Sequence, residues 1–97
     1  MEQRINLRVL TAEGVAIDDE ATSIIAPGEP GYIGFLRNHA PLVTTLKPGE
    51  LKWRKENEPW KAARIGAGVL EVTRNRVTIL ADAVAVEPRA SEAAHVR

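Results

Sequence analysis

Apolar residues recur at every second position along most of this chain, and that period constrains the fold more than any other feature. Ile5, Leu7 and Val9 alternate with Arg4, Asn6 and Arg8, and Leu51 and Trp53 alternate with Lys52 and Arg54. Successive side chains of a strand point to opposite faces, so this spacing predicts half-buried strands rather than amphipathic helices. Breakers cut the pattern into short pieces: Glu13-Gly14, Pro27-Gly28, Pro30-Gly31, Lys47-Pro48-Gly49 and Gly66-Ala67-Gly68. The pieces are about nine strands, at 5–9, 15–17, 22–26, 32–36, 42–46, 51–54, 60–65, 69–73 and 77–81, with turn signals at roughly the 8–12-residue spacing of an antiparallel β-sandwich or barrel. The acidic run Asp18-Asp19-Glu20 reads as a solvated turn. Burying alternate positions predicts an interior that includes Ile5, Leu7, Val9, Ile24, Leu42, Leu46, Leu70, Val72, Ile79 and Ala81.

At 97 residues the chain is one small domain. Thirteen Lys and Arg balance thirteen Asp and Glu, which argues against disorder and against nucleic acid as the main partner, since phosphate binding needs a basic surplus. The absence of cysteine excludes disulfides, thiolate catalysis and Cys-type metal sites. The N-terminus lacks the pattern of a signal peptide, and no window approaches the roughly 20 apolar residues of a membrane span. The expectation is a soluble domain with no direct membrane insertion. After Pro88 the composition turns to helix formers, too few for a stable isolated helix, so residues 88–97 read as a tail, either helical or disordered.

Little here suggests chemistry. A nucleophilic triad needs Ser or Thr beside a base that a carboxylate orients, and neither Ser23 nor Ser91 has an elbow motif. His39 and His95 lack the companions of a zinc site. Gly28, Gly31 and Gly34 are flanked by strands, without the helix N-terminus that a phosphate loop requires. No catalytic residue, metal or cofactor is expected. Trp53 and Trp60 flank the polar loop 55–59, near enough to pair across two strands or to face a partner.

Two stretches carry a family resemblance: Gly31-Tyr-Ile-Gly-Phe-Leu-Arg-Asn-His-Ala-Pro-Leu-Val-Thr-Thr-Leu-Lys-Pro-Gly-Glu50, and Gly66-Ala-Gly-Val-Leu-Glu-Val followed by Val77-Thr-Ile-Leu-Ala-Asp-Ala. Together with Leu10-Thr11-Ala12-Glu13-Gly14 they resemble the N-terminal domain of the epsilon subunit of rotary ATP synthases, over roughly residues 5–86. The resemblance implies a flattened β-sandwich of about ten strands over residues 1–87. It further implies a non-catalytic rotor-stalk subunit of a proton- or sodium-translocating ATP synthase, which docks the gamma subunit onto the c-ring and couples rotation to ATP synthesis. Carried over position by position, Thr11, His39 and Thr44 fall on the gamma-facing side, and Tyr32, Arg37 and Asn38 at the c-ring end. The chain departs from the family at Arg37-Asn38, where Pro-Gly is usual, and at Tyr32, where a carboxylate is common. The family's inhibitory C-terminal helical hairpin is absent from this sequence, so no ATP binding is expected. The implied location is peripheral, on the cytoplasmic face of the bacterial plasma membrane. The competing reading is a small β-sandwich that binds a ligand or glycan, which would need Trp53, Trp60 and Tyr32 together on one open face.

Overall fold

The alternating stretches form ten strands in a computed structural model that describes residues 4–36 and 40–87. They are β1 (Ile5–Thr11), β2 (Gly14–Ala21), β3 (Ser23–Gly28), β4 (Gly31–Leu36), β5 (Leu42–Leu46), β6 (Gly49–Arg54), β7 (Lys61–Ile65), β8 (Gly68–Thr73), β9 (Arg76–Ala81) and β10 (Val84–Val86). The spatial order is β10-β7-β6-β3-β5-β8-β9-β1-β2, with β4 paired to the free side of β3. The path folds at β3, where a single pairing, Gly28 opposite Leu46, joins two layers. One layer is β4-β3-β6-β7-β10 and the other is β5-β8-β9-β1-β2. The all-β sandwich expected from the sequence is the observed architecture, with no helix among the described residues.

The core lies between the layers. Ile5, Leu7, Val9, Ile24, Leu46, Leu70, Val72, Ile79 and Ala81 are buried as the alternation required, while Leu42 is half-buried against the cluster. Ile17, Ala21, Ala26, Phe35, Leu51, Trp53, Ala63, Ile65 and Val77 complete it.

Three features differ from the sequence reading. Asp18, Asp19 and Glu20 are not a turn but the second half of β2. This strand ends the sheet path, so Asp18 and Glu20 can face water while Asp19 turns inward. One pairing is parallel: β1 runs alongside β9, Leu7 opposite Val77 and Val9 opposite Ile79, within an otherwise antiparallel sheet. A tenth strand, β10, pairs with β7. Three residues leave almost no period to read. The tail 88–97 lies outside the described residues.

Gly68 is fixed by packing. A Cβ there would collide with the Leu80 carbonyl oxygen across the β8–β9 hairpin, so no larger residue fits without moving the backbone.

Candidate functional site

A β-bulge produces the main surface feature. In the β1–β2 ladder Val9 faces Ile17 but Leu10 faces Val15, so Ala16 is the extra residue. The bulge turns Val15 to the opposite face from Ile17. Val15 thereby joins a row on the outer side of the layer that runs strand by strand: Val15 opposite Leu10, Leu10 opposite Leu80, Leu80 opposite Val69, and Val69 opposite Thr45. Val43, on the same face as Thr45, extends the row. Val43 is 67% exposed and Leu80 57%, and Val15 and Val69 are also open to solvent. Four neighbouring strands thus carry an apolar row in register, Val15, Leu10, Leu80 and Val69, with Val43 offset along β5 opposite Glu71. Single exposed apolar side chains are ordinary, but a contiguous row marks a surface that another protein covers.

The second organised group is inside. Asp19 reaches from β2 across the open edge between the layers. It accepts a hydrogen bond from the indole Nε1 of Trp53 at 3.0 Å and pairs with Nζ of Lys61 at 2.8 Å. Its other oxygen accepts the Glu20 amide at 2.8 Å. Burial works to raise the Asp19 pKa, but the bonds from Lys61, Trp53 and the Glu20 amide, with the Lys61 charge, outweigh it and hold the carboxyl below the ordinary aspartate value. This arrangement fastens β2 to β6 and β7 and closes the sandwich. Among the described residues no three Asp, Glu or His side chains stand as a metal would need, and no helix is long and apolar enough to cross a membrane.

The two tryptophans do not pair. Trp53 lies opposite Lys61 and points into the core, only 3% exposed. Trp60 lies on the outer face, with the Arg54 guanidinium carbon 4.7 Å and Lys52 Nζ 5.9 Å from its ring centre. Trp53, Trp60 and Tyr32 therefore share no open face, which removes the arrangement that a glycan site would need.

Thr11 and Thr44 are both half-buried. Alternation puts Thr44 on the inner face of β5 with Leu42 and Leu46. Thr11 closes β1, its hydroxyl accepting the Glu13 amide at 3.1 Å. By the same alternation Thr11 falls on the side of Val9 and Thr44 on the side of Leu46, so neither shares the outer face with the apolar row. Tyr32 is 59% exposed and opens β4 next to the β3–β4 turn. Its ring crosses Gly49 and its hydroxyl accepts the Glu50 amide at 3.3 Å. His39, Arg37 and Asn38 lie outside the described residues. β4 runs from Gly31 to Leu36, so most of that strand separates Tyr32 from Leu36, the last described residue before Arg37. The apolar row escaped the sequence reading because Val15, Leu10, Leu80, Val69 and Val43 come from five strands and no linear period connects them. The local signals are the doublets Val9-Leu10, Leu42-Val43, Val69-Leu70 and Ile79-Leu80, each with two apolar residues where alternation asks for one.

An apolar row on the outer face of a sheet is the kind of surface that protein-docking domains present. Residues 4–87 match the family described as the ATP synthase Delta/Epsilon chain beta-sandwich domain, and the chain belongs to that family. It is 46% identical over 80 residues to the ATP synthase epsilon chain of Chloroflexus aurantiacus, covering 82% of this chain and 57% of that one. It is 41% identical over 78 residues to the ATP synthase epsilon chain of Moorella thermoacetica, covering 80% and 58%. The chain therefore spans under three fifths of the length of these two relatives. Among solved structures, a chain of the Euglena gracilis mitochondrial ATP synthase OSCP/F1/c-ring assembly superposes with a TM-score of 0.80 at 20% identity, covering 99% of this chain and 62% of that one. A chain of the Tetrahymena thermophila mitochondrial ATP synthase central stalk and c-ring superposes at 0.68 with 17% identity, covering 86% and 66%. At those identities the likeness establishes the fold.

Proposed function

We propose that this chain is the sandwich of a non-catalytic rotor-stalk subunit that docks a gamma subunit onto a membrane c-ring in an ion-translocating ATP synthase. The observation that carries this reading is the apolar row Val15, Leu10, Leu80, Val69 and Val43 on the outside of one layer. An isolated ligand-binding sandwich has no use for such a face, whereas a rotor component must leave its docking surface open until assembly. Gamma sits on this face, and Thr11, Thr44 and His39 are the positions that the family resemblance assigns to the same contact. The c-ring contact falls to the remaining positions, Tyr32, Arg37 and Asn38. Residues 1–87 form the docking unit, and the subunit lies on the cytoplasmic side of the membrane, held there by its partners.

The chain contains no cysteine, so single-cysteine variants can be labelled with a photoreactive maleimide without background. In the reconstituted stalk, Val43→Cys should crosslink to gamma and Tyr32→Cys to a c subunit. Glu58→Cys, in the exposed 55–59 loop, should crosslink to neither. Crosslinking of gamma from Glu58 but not from Val43 would overturn the assignment of the face.

A further inference from the structure

The outer face of the other layer carries a cluster of a different kind. Leu36, Ser23 and Arg54 stand in register across β4, β3 and β6. Trp53 opposes Lys61, so the next step of the same ladder brings Trp60 beside Arg54. The guanidinium lies over the indole at 4.7 Å, and Lys52 approaches the same ring. Stacking of this sort fixes a guanidinium in one orientation and leaves its donors free to bind.

Neither cation has a carboxylate within ion-pair distance among the described residues. The Nε of Arg54 is fully buried and has no hydrogen-bond acceptor. Being enclosed, that nitrogen is out of reach of an incoming group, which would meet the guanidinium at its terminal nitrogens instead. Arg54 also lines an open pocket of about 290 Å³ with Thr22, Ser23, Leu36 and Glu56. Arg54 and Glu56 are the charged residues that line the pocket, and Lys52 stands two positions before Arg54 on the same face of β6. Leu36, 65% exposed on the pocket wall, supplies an apolar contact that a peptide neighbour can use.

From these observations we infer that the Arg54–Lys52–Trp60 face docks an acidic segment of a partner polypeptide. A glutamate or aspartate of that segment engages Arg54, and an adjacent apolar side chain rests on Leu36. Arginine against carboxylate forms short charge-assisted bonds, and buried Trp and Arg recur where interfaces concentrate their affinity. The site is on the opposite layer from the apolar row and stands whether or not that row binds gamma.

The test is a titration of the full chain, ¹⁵N-labelled, followed through the Trp60 indole and Arg54 Nε resonances. The probe is a short peptide of alternating glutamate and leucine; its counterpart carries glutamine in place of glutamate, and inorganic phosphate and ATP form separate arms. The acidic peptide should shift both resonances saturably, more weakly as salt rises. Arg54→Gln should weaken it about tenfold, as loss of one charge-assisted bond implies, with Lys52→Gln acting in the same direction. If Arg54→Gln fails to fold, Lys52→Gln and the salt dependence carry the test. Equal binding of the glutamine peptide, tighter binding of phosphate or ATP at these resonances, or no saturable shift would each overturn the proposal.

Discussion

Asp19 shows how much one side chain can contribute when its neighbours complement it. It is the half-buried acid that ties β2 to Trp53 and Lys61, whereas the Arg4–Glu20 and Arg8–Asp18 pairs on the same strand are exposed and long, at 3.4 and 3.8 Å. Exposed pairs contribute at most about 1 kcal/mol each. Asp19→Ala strands a buried indole N–H and an ammonium, and should cost about 2–3 kcal/mol in urea unfolding at neutral pH. Arg8→Ala should cost under about 1 kcal/mol. The sign with pH follows from the depressed Asp19 pKa. The folded state favours the carboxylate, so its contribution is full above the unfolded value of about 3.9 and disappears as pH falls through the folded value. The gap between wild type and Asp19→Asn should therefore narrow as the pH falls below about 4. A gap that widens on acidification would contradict the assignment. Gly68→Ala, forced against the Leu80 carbonyl, should be severe, costing about 2 kcal/mol or more, while Gly66→Ala meets its nearest atom at 3.3 Å and should be milder.

The elements divide into those that write themselves into the sequence and those that do not. β1 and β8 alternate because one face is core and the other is water, so Ile5, Leu7, Val9, Leu70 and Val72 are legible as core from the sequence, as are Ile79 and Ala81 of β9. Leu70, fully buried between Thr44 and Ile79, illustrates this: Leu70→Ala should cost about 2–5 kcal/mol in equilibrium unfolding. The parallel β1–β9 pairing was not legible, because it joins strands some seventy positions apart and alternation says only which side chains turn inward, not which strand lies alongside. β2 was misread because three consecutive acids suit a turn; at a sheet edge, two of them face solvent and the third meets Lys61. The site was less legible than the fold for the same reason. The resemblance to epsilon subunits directs attention to Thr11, His39 and Thr44, whereas the apolar row is assembled from separate strands, and its Val15 faces outward only because of a bulge that no linear pattern announces.

For the whole molecule, the two layers present two different outer surfaces: an apolar row on β2-β1-β9-β8-β5 and a cationic-aromatic face on β3-β4-β6-β7. The two faces lie on separate layers, so a change on one can be read without disturbing the other. Charge introduced on the apolar row should uncouple docking from folding, because those side chains do not enter the core. Val69→Asp and Leu80→Asp should each leave the unfolding transition within about 1 kcal/mol of wild type, as for most surface changes. The central claim is tested most directly by calorimetric titration of the cognate gamma subunit into the purified chain and into Val69→Asp. The account predicts saturable one-to-one binding with a negative heat-capacity change, weakened at least about thirtyfold by Val69→Asp, as a desolvated charge in an interface core implies. No binding to gamma, or equal affinity for both proteins, would contradict it.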